Sequence, residues 1–504
     1  MKFEAWKKLQ NGSDIRGVAL EGIPGEKVNL TPGVASTLGQ AFARWLVKNG
    51  KGSRKVAVGT DSRISGAKLK RAFMSGLTGS GFDVVDCGLA STPAMFMTTI
   101  DPGLGVEGGV MLTASHLPFN RNGMKFFTEK GGFDKNNVHD LLKIASAGKF
   151  TPSDIRGSIE LVDFISKYAT HLADTIRSGV NDPDHYDTPL KGMKIIVDAG
   201  NGAGGFFAEK VLVPLGADVS GSQFLEPDGR FPNHVPNPED GEAMDSICAA
   251  VVREKADLGI IFDTDVDRAA MVDAAGNAIN RNDLIALISS VILEEHPGSV
   301  IVTDSITSAG LKWFIQEHLK GVHHRFQRGY KNVISESQRL NAEGKASWLA
   351  IETSGHAALK ENHFLDDGAY LVAKLLVQAA RMNRQEKTLG SLIGNLPRPL
   401  EAQEFRLKIK AEDFGAYGKQ VLEQVGKIVE NEPDWQPETP NYEGIRVQCS
   451  GEGEDGWFLL RMSLHDPVMP LNVESDVLGG IAAISTRLNQ ILNTFEKLGL
   501  EALN

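Results

Sequence analysis

Residues 194–198, KIIVD, decide the fold, because they form a short apolar strand that runs into an aspartate and then into a helical segment. The same arrangement recurs at residues 55–59, KVAVG, and at residues 299–304, SVIVTD. Continuous apolar strands that alternate with amphipathic helices are typical of sheets buried on both faces. The sequence therefore predicts an α/β protein. The first residues of these strands are 139 and 105 positions apart, a spacing that is too long for a solenoid repeat and favours three similar domains in series.

The length of 504 residues also predicts several domains, since one domain usually contains roughly 100 to 200 residues. Beyond Pro399 the pattern changes to strands such as residues 457–462 and a closing helix from about residue 478 to residue 498. This change predicts a smaller α+β domain at the end of the chain. We expect four domains, at residues 1–153, 154–277, 278–397 and 398–504.

Charge and cysteine content exclude several classes of protein. A net charge of −11 argues against a general nucleic-acid or membrane-surface binder. Cys87, Cys248 and Cys449 lie far apart, so neither a disulfide framework nor a cysteine zinc site is expected. The first ten residues do not resemble a secretory leader, and the apolar run at residues 284–293 is too short to span a bilayer. We expect a cytoplasmic protein. The oligomeric state cannot be inferred from the sequence.

A candidate nucleophile lies in residues 111–118, MLTASHLP, which are followed by NGMK at residues 122–125. Ser115 is the lone serine of this stretch, between small residues and beside His116 and Lys125. An imidazole and an ammonium group near a hydroxyl are suited to phosphoryl transfer. The stretch therefore predicts that Ser115 is a nucleophile that can be phosphorylated.

A candidate metal site follows the apolar strand at residues 258–262. Asp263, Asp265 and Asp267 stand at the carboxyl end of this strand, where open α/β sheets place their ligands. Hard oxygen ligands suit Mg²⁺ or Ca²⁺. An EF-hand is excluded because Arg268 occupies the position of its required glycine. The alternative of a solvated acidic loop is disfavoured, since packed carboxylates repel one another unless a cation lies between them.

Residues 200–205, GNGAGG, fit the pattern G-x-G-x-x-G, follow a strand, and have Asp218 at a workable distance. A dinucleotide-binding loop is therefore one interpretation. A glycine-rich turn that packs a helix against a strand is the other, and it needs no cofactor.

Two further segments each have two interpretations. In residues 352–356, ETSGH, the side chains of Glu352, Ser354 and His356 could bind sugar hydroxyls, or Ser354 could cap a helix. In residues 461–467, Arg461 and Ser463 could bind phosphate, or the segment could be a structural turn after a strand.

Taken in order, these segments resemble the α-D-phosphohexomutase family, which contains phosphoglucomutases, phosphomannomutases and phosphoglucosamine mutases. The resemblance covers most of the chain and includes the serine, aspartate and Glu352 segments together with residues 13–17, 59–63, 65–66, 88–93, 198–202 and 232–238. It implies three mixed α/β sandwich domains and a C-terminal α+β domain around a central cleft, with one loop from each domain. It also implies that residues 200–205 form a packing turn.

The resemblance implies a role for each matched residue. Ser115 would be the phosphoserine, and one of its phosphate oxygens would bind Mg²⁺ together with Asp263, Asp265 and Asp267. Arg16 and Lys125 would polarise groups or shuttle protons, and His356 is a candidate acid or base. The implied substrate-binding residues are His116, Arg268, Arg328, Lys331, Glu352, Ser354, Arg461 and Ser463.

The implied activity is the interconversion of hexose 1-phosphate and hexose 6-phosphate, with glucose or mannose as the sugar. It would proceed through the phosphoserine and a 1,6-bisphosphate, which also serves as activator. One departure concerns the last loop, where Leu464, His465 and Asp466 replace the usual residues and Pro470 stands at the position of an arginine. This departure keeps two alternatives open: a hexose 1,6-bisphosphate synthase and a catalytically silent sugar-phosphate binding protein.

Overall fold

The computed structural model describes residues 2–463 and 466–503, and the chain divides into two units. The first unit contains the chain up to Asn280 together with Ser354–Ser391. The second unit contains Arg281–Thr353 and the chain from Leu392 onward. Among the described residues, no helix combines the length and the hydrophobicity that crossing a membrane would need.

The first unit begins with a mixed sheet between helices. Its strands have the order β1-β2-β6-β5-β3-β4-β8, with β7 paired to β6, and β4, β3 and β5 run parallel. The elements are α1 (Phe3–Lys7), β1 (Gln10–Asn11), β2 (Asp14–Val18), α2 (Pro32–Asn49), β3 (Lys55–Thr60), α3 (Gly66–Gly79), β4 (Asp83–Leu89), α4 (Thr92–Met97), β5 (Gly108–Leu112), β6 (Arg121–Thr128), β7 (Gly131–Gly132), α5 (Lys135–Ala147) and β8 (Ile159–Leu161).

Helices α2 and α3 pack closely beside this sheet. Helix α2 begins after Thr31, whose side chain accepts a hydrogen bond from the N–H of Val34 at 3.3 Å, as an N-cap should. A Cβ atom at Gly76 would clash with the carbonyl oxygen of Ser36, so only glycine permits this helix contact. Phe42 and Phe73 from the two helices then reach the core under β3 and β5.

The second sheet of the first unit places the aspartate cluster. Its order is β12-β11-β10-β9, with β10 parallel to β9 and antiparallel to β11. Residues 263–268 therefore form the turn between β10 and β11. The elements are α6 (Phe164–Val180), β9 (Ile195–Asp198), a π-helical turn (Phe207–Leu212), a 3₁₀ turn (Val213–Leu215), α7 (Gly241–Glu254), β10 (Leu258–Phe262), β11 (Ala269–Asp273) and β12 (Ala278–Ile279).

The next segment belongs to the second unit and repeats the α/β pattern. Strand β13 pairs in parallel with both β14 and β15. The elements are α8 (Arg281–Glu295), β13 (Val300–Thr303), α9 (Ala309–Trp313), a π-helical turn (Phe314–His318), β14 (Val322–Arg325), α10 (Tyr330–Ala342) and β15 (Ser347–Ile351).

The chain then returns to the first unit. Strands β16 (Ala357–Leu359) and β17 (Leu365–Asp366) form an antiparallel pair, with a 3₁₀ turn (Lys360–Asn362) between them. Helix α11 (Gly368–Asn383) begins after Asp367, which caps it and also accepts a hydrogen bond of 2.6 Å from the hydroxyl of Tyr168 on α6. Because Ser354 lies in a turn before β16, it does not start a helix, and the capping interpretation of Ser354 is wrong.

The C-terminal part of the second unit is an antiparallel sheet with helices, as the α+β prediction states. The strand order is β19-β20-β21-β22-β18-β23. Leu407, Val425, Phe458 and Leu488 belong to its core. The elements are β18 (Glu401–Ile409), α12 (Phe414–Val429), β19 (Trp435–Pro437), β20 (Ile445–Cys449), β21 (Gly456–Leu460), β22 (Val468–Ser475), α13 (Gly480–Leu492), β23 (Leu498–Gly499) and a 3₁₀ turn (Glu501–Leu503). The predicted α/β class with a distinct C-terminal α+β part is confirmed.

Candidate active site

Ser115 lies just beyond the end of β5 and is almost fully buried. Its backbone has φ +49°, a left-handed conformation, and its N–H donates to Oγ1 of Thr113 at 2.9 Å. The Oγ atom of Ser115 donates to Oδ2 of Asp263 at 2.9 Å. A guanidinium nitrogen of Arg268 donates to the same Oγ at 2.8 Å. The hydroxyl is therefore held between a carboxylate and a guanidinium group.

The predicted metal ligands Asp263, Asp265 and Asp267 come together in the turn between β10 and β11. All three are buried, and one ligand oxygen from each lies within 4.8 Å of the others. Oδ1 of Asp265 and Oδ1 of Asp267 are buried without a hydrogen-bond partner. Buried carboxylate oxygens of this kind need a compensating cation, so the three residues fit the predicted divalent metal ion.

The charges of this cluster are strongly coupled. Burial, followed by repulsion from Asp267 and Asp265, raises the pKa of Asp263 well above its ordinary value. Nζ of Lys125 lies 3.0 Å from Oδ2 of Asp265 and is also hydrogen-bonded to Asp267. Although burial opposes ionisation, Lys125 and a hydrogen bond from Thr92 lower the pKa of Asp265. The ammonium group of Lys125 thus offsets part of the negative charge of the three aspartates.

Arg268 joins the aspartate turn to the serine. Besides Ser115, its guanidinium donates to Oδ2 of Asp263 at 3.0 Å, Oδ1 of Asn237 at 2.9 Å and Nδ1 of His116 at 2.5 Å. Burial and the adjacent guanidinium lower the pKa of His116 to about 3. The imidazole is therefore neutral near pH 7, and its Nδ1 accepts the hydrogen bond from Arg268.

Arg16 reaches the same loop from β2. One guanidinium nitrogen donates to the carbonyl oxygen of Thr113 at 2.5 Å, and another pairs with Oδ2 of Asp14 at 2.7 Å. Arg16 therefore adds positive charge beside the loop that carries Ser115.

His356 also lies at this site, since it forms an isolated β-bridge with Arg268. Its Nδ1 is 2.6 Å from Oδ2 of Asp366 and 3.9 Å from Oδ1 of Asp267. Burial opposes protonation, but the carboxylates of Asp366 and Asp267 raise the pKa of His356 to about 9. In this arrangement His356 carries a proton near neutral pH. Ser354, two residues earlier, is buried in the turn before β16.

The second unit brings together predicted residues around Arg328. Oε1 of Glu352, at the end of β15, accepts a hydrogen bond from the N–H of Gly329 at 2.7 Å. Nε of Arg328 lies 3.3 Å from Oδ2 of Asp304. Lys331 follows in the first turn of α10.

Arg461 interacts electrostatically with Arg328. It is 6% exposed, and its Nε atom is buried without a hydrogen-bond partner. Burial and the charge of Arg328 lower the pKa of Arg461. Oγ of Ser463 accepts a hydrogen bond of 3.2 Å from the N–H of Asp466. Two of the residues that depart from the usual last loop, Leu464 and His465, lie outside the described residues.

Three family models match consecutive parts of this chain. Domains I, II and III of phosphoglucomutase/phosphomannomutase, each described as alpha/beta/alpha, match residues 7–151, 167–276 and 280–400. The chain belongs to the phosphoglucomutase/phosphomannomutase family.

Similarity to individual proteins supports this family membership. A phosphoglucomutase of Neisseria gonorrhoeae is 30% identical over 483 residues, which cover 95% of this chain and 96% of the relative. A phosphomannomutase/phosphoglucomutase of Pseudomonas putida is 29% identical over 451 residues, covering 88% and 89%. A crystal structure of a family protein from Burkholderia thailandensis has a TM-score of 0.79 and 25% identity, and 98% of each chain is covered.

Two residues of this site, Thr92 and Asp366, could not be identified from the sequence. Oγ1 of Thr92 donates to Oδ2 of Asp265 at 2.5 Å, and Asp366 contacts His356. Thr92 lies in residues 88–93, which contribute to the family resemblance, but a hydroxyl before a proline has no distinctive spacing.

The glycine turn at residues 200–205 behaves as a packing turn, since a Cβ atom at Gly202 would lie 2.7 Å from the carbonyl oxygen of Thr264.

Proposed function

We propose that this chain is a phosphohexomutase that interconverts hexose 1-phosphate and hexose 6-phosphate, with glucose or mannose as the sugar. The reaction passes through phosphorylated Ser115 and a hexose 1,6-bisphosphate intermediate. The observation that carries the proposal is the position of Ser115 Oγ, 2.9 Å from Asp263 and 2.8 Å from Arg268, at a buried triad of aspartates.

The proposed residues divide the chemistry between them. In the first transfer, the bond between phosphorus and Ser115 Oγ breaks and a new bond forms to the sugar oxygen. The sugar hydroxyl loses one proton and the departing Oγ takes one up, so the transfer consumes no net proton. The second transfer returns the other phosphate of the bisphosphate to Ser115. Arg16, Lys125 and Arg268 offset the negative charge during both transfers, and protonated His356 is the acid that supplies a proton to the departing Ser115 Oγ.

We propose that Asp263, Asp265 and Asp267 bind Mg²⁺ together with an oxygen of the phosphoserine. A divalent cation there supplies positive charge at the phosphate and offsets the repulsion between two anionic reactants. His116 contributes a neutral imidazole beside Ser115.

We propose binding roles for six residues that contact the sugar phosphate. Glu352 and Ser354 bind sugar hydroxyls, while Arg328, Lys331, Arg461 and Ser463 bind the phosphate that is not being transferred. The unpartnered Nε of buried Arg461 supports this role, because a buried guanidinium needs an acceptor.

A second arginine supports mutase activity despite Pro470. Leu460 on β21 pairs with Leu471 on β22, and both side chains belong to the core. Because successive side chains of a strand point to opposite faces, the adjacent residues Arg461 and Pro470 lie on the other face of the sheet. Arg406 on β18 pairs directly with Pro470, and the N–H of Arg461 donates to the carbonyl oxygen of Pro470 at 3.0 Å. We infer that Arg461 and Arg406 flank Pro470 and supply two positive charges for the distant phosphate.

The second candidate function is a hexose 1,6-bisphosphate synthase that uses the same phosphoserine. The presence of Pro470 in β22 instead of an arginine favours it, because a weaker grip on the distant phosphate would release the bisphosphate early. A catalytically silent sugar-phosphate binding protein would need no buried nucleophile at a metal site, so Ser115 and the three aspartates count against this alternative.

A coupled assay tests the proposal. Purified protein is supplied with glucose, mannose or glucosamine 1-phosphate, with Mg²⁺ and with or without the matching 1,6-bisphosphate as activator. We expect 6-phosphate to form from glucose or mannose, faster with the activator, and Ser115→Ala to be inactive. Release of bisphosphate at a rate equal to or above that of 6-phosphate would favour the synthase, and no turnover of any sugar would refute both enzymes.

The remaining proposals concern the domain boundaries, the binding partners and the cellular location. The chain has four domains with boundaries near residues 153, 277 and 397, and the family models support the first three. Its partners are small sugar phosphates rather than nucleic acid or membranes, in keeping with the net charge of −11. The scattered cysteines support a cytoplasmic location.

A further inference from the structure

Arg63 is a buried arginine whose side chain binds the main chain of one loop. This nucleophile loop comprises residues 113–121. One guanidinium nitrogen of Arg63 donates to the carbonyl oxygens of Pro118 at 2.8 Å and Arg121 at 2.9 Å. The other terminal nitrogen donates to the carbonyl oxygens of Ser115 and Leu117. A single side chain thus contacts four peptide groups of the loop that carries the nucleophile.

Asp61 and Phe231 both contact the guanidinium group of Arg63. Its Nε lies 3.5 Å from Oδ2 of Asp61, and both side chains are fully buried. The N–H of Arg63 donates to Oδ1 of Asp61 at 2.9 Å, and the N–H of Asp61 donates to the carbonyl oxygen of Leu112 on β5 at 3.1 Å. The ring of Phe231 lies 5.2 Å from the guanidinium carbon. Arg63 therefore connects the nucleophile loop to the end of the central sheet.

The conformation of the nucleophile loop requires such support. Ser115 has φ +49°, which is unfavourable for a residue with a Cβ atom and persists only where surrounding contacts impose it. The carbonyl oxygen of Ser115 is directed at Arg63, while its Oγ is directed at Asp263 and Arg268. Holding the carbonyl on one side thus orients the hydroxyl on the other.

We propose that Arg63 is a positioning residue for phosphoryl transfer: its guanidinium binds the carbonyl oxygens of the nucleophile loop and keeps Ser115 Oγ at Asp263 and Arg268. The inference rests on the proposed function, and the guanidinium of Arg63 donates to main-chain carbonyl oxygens rather than to Ser115 Oγ. Phosphoryl transfer depends mainly on alignment and charge, and a displacement of about 1 Å can lower the rate about 100-fold.

The planar shape of the guanidinium distinguishes this role from that of a buried charge alone. Arginine presents five donors in a fixed fork, whereas lysine has three donors on one nitrogen. Lysine at position 63 would keep the charge beside Asp61 but could not reach four carbonyl oxygens. Arg63→Lys therefore separates charge from geometry, and Arg63→Met removes both.

The test compares these two variants with Leu142→Ala, a core substitution in the same domain that lies outside the nucleophile loop. All are studied as full-length protein with Mg²⁺ and glucose 1-phosphate, well below their Tm values. For Arg63→Met we expect kcat to fall about 100-fold with KM within about threefold. Arg63→Lys should be intermediate. Amide hydrogen exchange of residues 113–121 should become faster in both Arg63 variants, whereas Leu142→Ala should lower Tm without either change.

Equal kcat and equal loop exchange in the Arg63 variants and Leu142→Ala would overturn the inference. If Arg63→Met does not fold, as judged by circular dichroism, Arg63→Lys decides by the same criteria. If the wild-type protein neither turns over sugar phosphate nor accepts phosphate on Ser115, the proposed function fails. In that case the exchange data alone show whether Arg63 holds the nucleophile loop. Unchanged exchange would mean that Arg63 does not stabilise the loop. Faster exchange would show a purely structural role for Arg63, and the inference of a role in phosphoryl transfer would be refuted as well.

Discussion

The Oγ atom of Ser115 donates a hydrogen bond of 2.9 Å to Oδ2 of Asp263, although the two residues are 148 positions apart in the chain. The first residue follows β5 in one sheet, and the second follows β10 in the next. Both strands end at this site, so a hydroxyl from one sheet meets a carboxylate from the other. The nucleophile and the metal ligands are thereby brought together without any local sequence relationship.

The first prediction concerns the metal. We expect Mg²⁺ to stabilise the wild-type protein by about 3 kcal/mol when its concentration is 100 times Kd, because an ion that binds only the folded state shifts the unfolding equilibrium. Asp265→Asn and Asp267→Asn should lose most of this stabilisation and at least about 100-fold of the activity. Thermal unfolding with and without EDTA measures the effect.

Asp140→Asn on the exposed side of α5 is the matched control, since the side chain of Asp140 is 62% exposed. It should retain the full response to Mg²⁺. A response that stays intact in both Asp265→Asn and Asp267→Asn would exclude the aspartate triad as the metal site.

The second prediction concerns the pH dependence of stability. Glu474 on β22 is partly buried, and this burial raises its pKa to about 7 although Arg446 and a hydrogen bond of 2.8 Å from Trp457 oppose the shift. Between pH 4.5 and 7 the folded state binds more protons than the unfolded state, so this group makes stability fall as the pH rises. Relative to Glu474→Gln, the wild type should lose roughly 3 kcal/mol of unfolding free energy across this window.

Denaturant unfolding of both proteins at a series of pH values measures this difference. The difference should level off above pH 7, where Glu474 is ionised in both states. A difference that is constant between pH 4.5 and 7, or that grows in favour of the wild type, would contradict the assignment.

The third prediction concerns the distant phosphate. Arg461→Met should raise KM for glucose 1-phosphate about 10- to 100-fold, because a charge-assisted hydrogen bond contributes about 1.5–3 kcal/mol. Arg406→Met should raise the ratio of released bisphosphate to 6-phosphate, since the intermediate would be held less tightly. Steady-state kinetics and quantification of both products provide the measurement.

Arg339→Met serves as control, because this arginine is half-exposed on α10 and pairs with Glu336 and Glu343. Its kinetics should match those of the wild type. If Arg461→Met leaves KM unchanged, the second unit does not bind phosphate through this residue.

Residues at strand ends were predictable from the sequence. Asp263, Asp265 and Asp267 follow a buried strand, and the carboxyl ends of strands are where α/β sheets place ligands. Ser115 was found from its small neighbours together with His116, and the α/β class followed from the continuous apolar strands. In each case the signal lies within a few consecutive residues.

Contacts that depend on tertiary structure were not predictable. The hydrogen bond from Thr92 to Asp265 joins residues 173 positions apart, and Arg63 recognises carbonyl oxygens, which every residue possesses. The shift in the pKa of His356 depends on Asp366, whose approach requires the β16–β17 pair to form. Such partners are set by the fold and have no sequence pattern of their own.

The central claim is that Ser115 accepts and donates the phosphate, and mass spectrometry tests it most directly. The wild-type protein and Ser115→Ala are incubated with glucose 1,6-bisphosphate and Mg²⁺, and the peptide that contains position 115 is analysed before and after glucose 1-phosphate is added. The account predicts one phosphate on Ser115 that disappears as glucose 1,6-bisphosphate forms. No phosphate on Ser115, or a phosphate that persists after substrate is added, would contradict it.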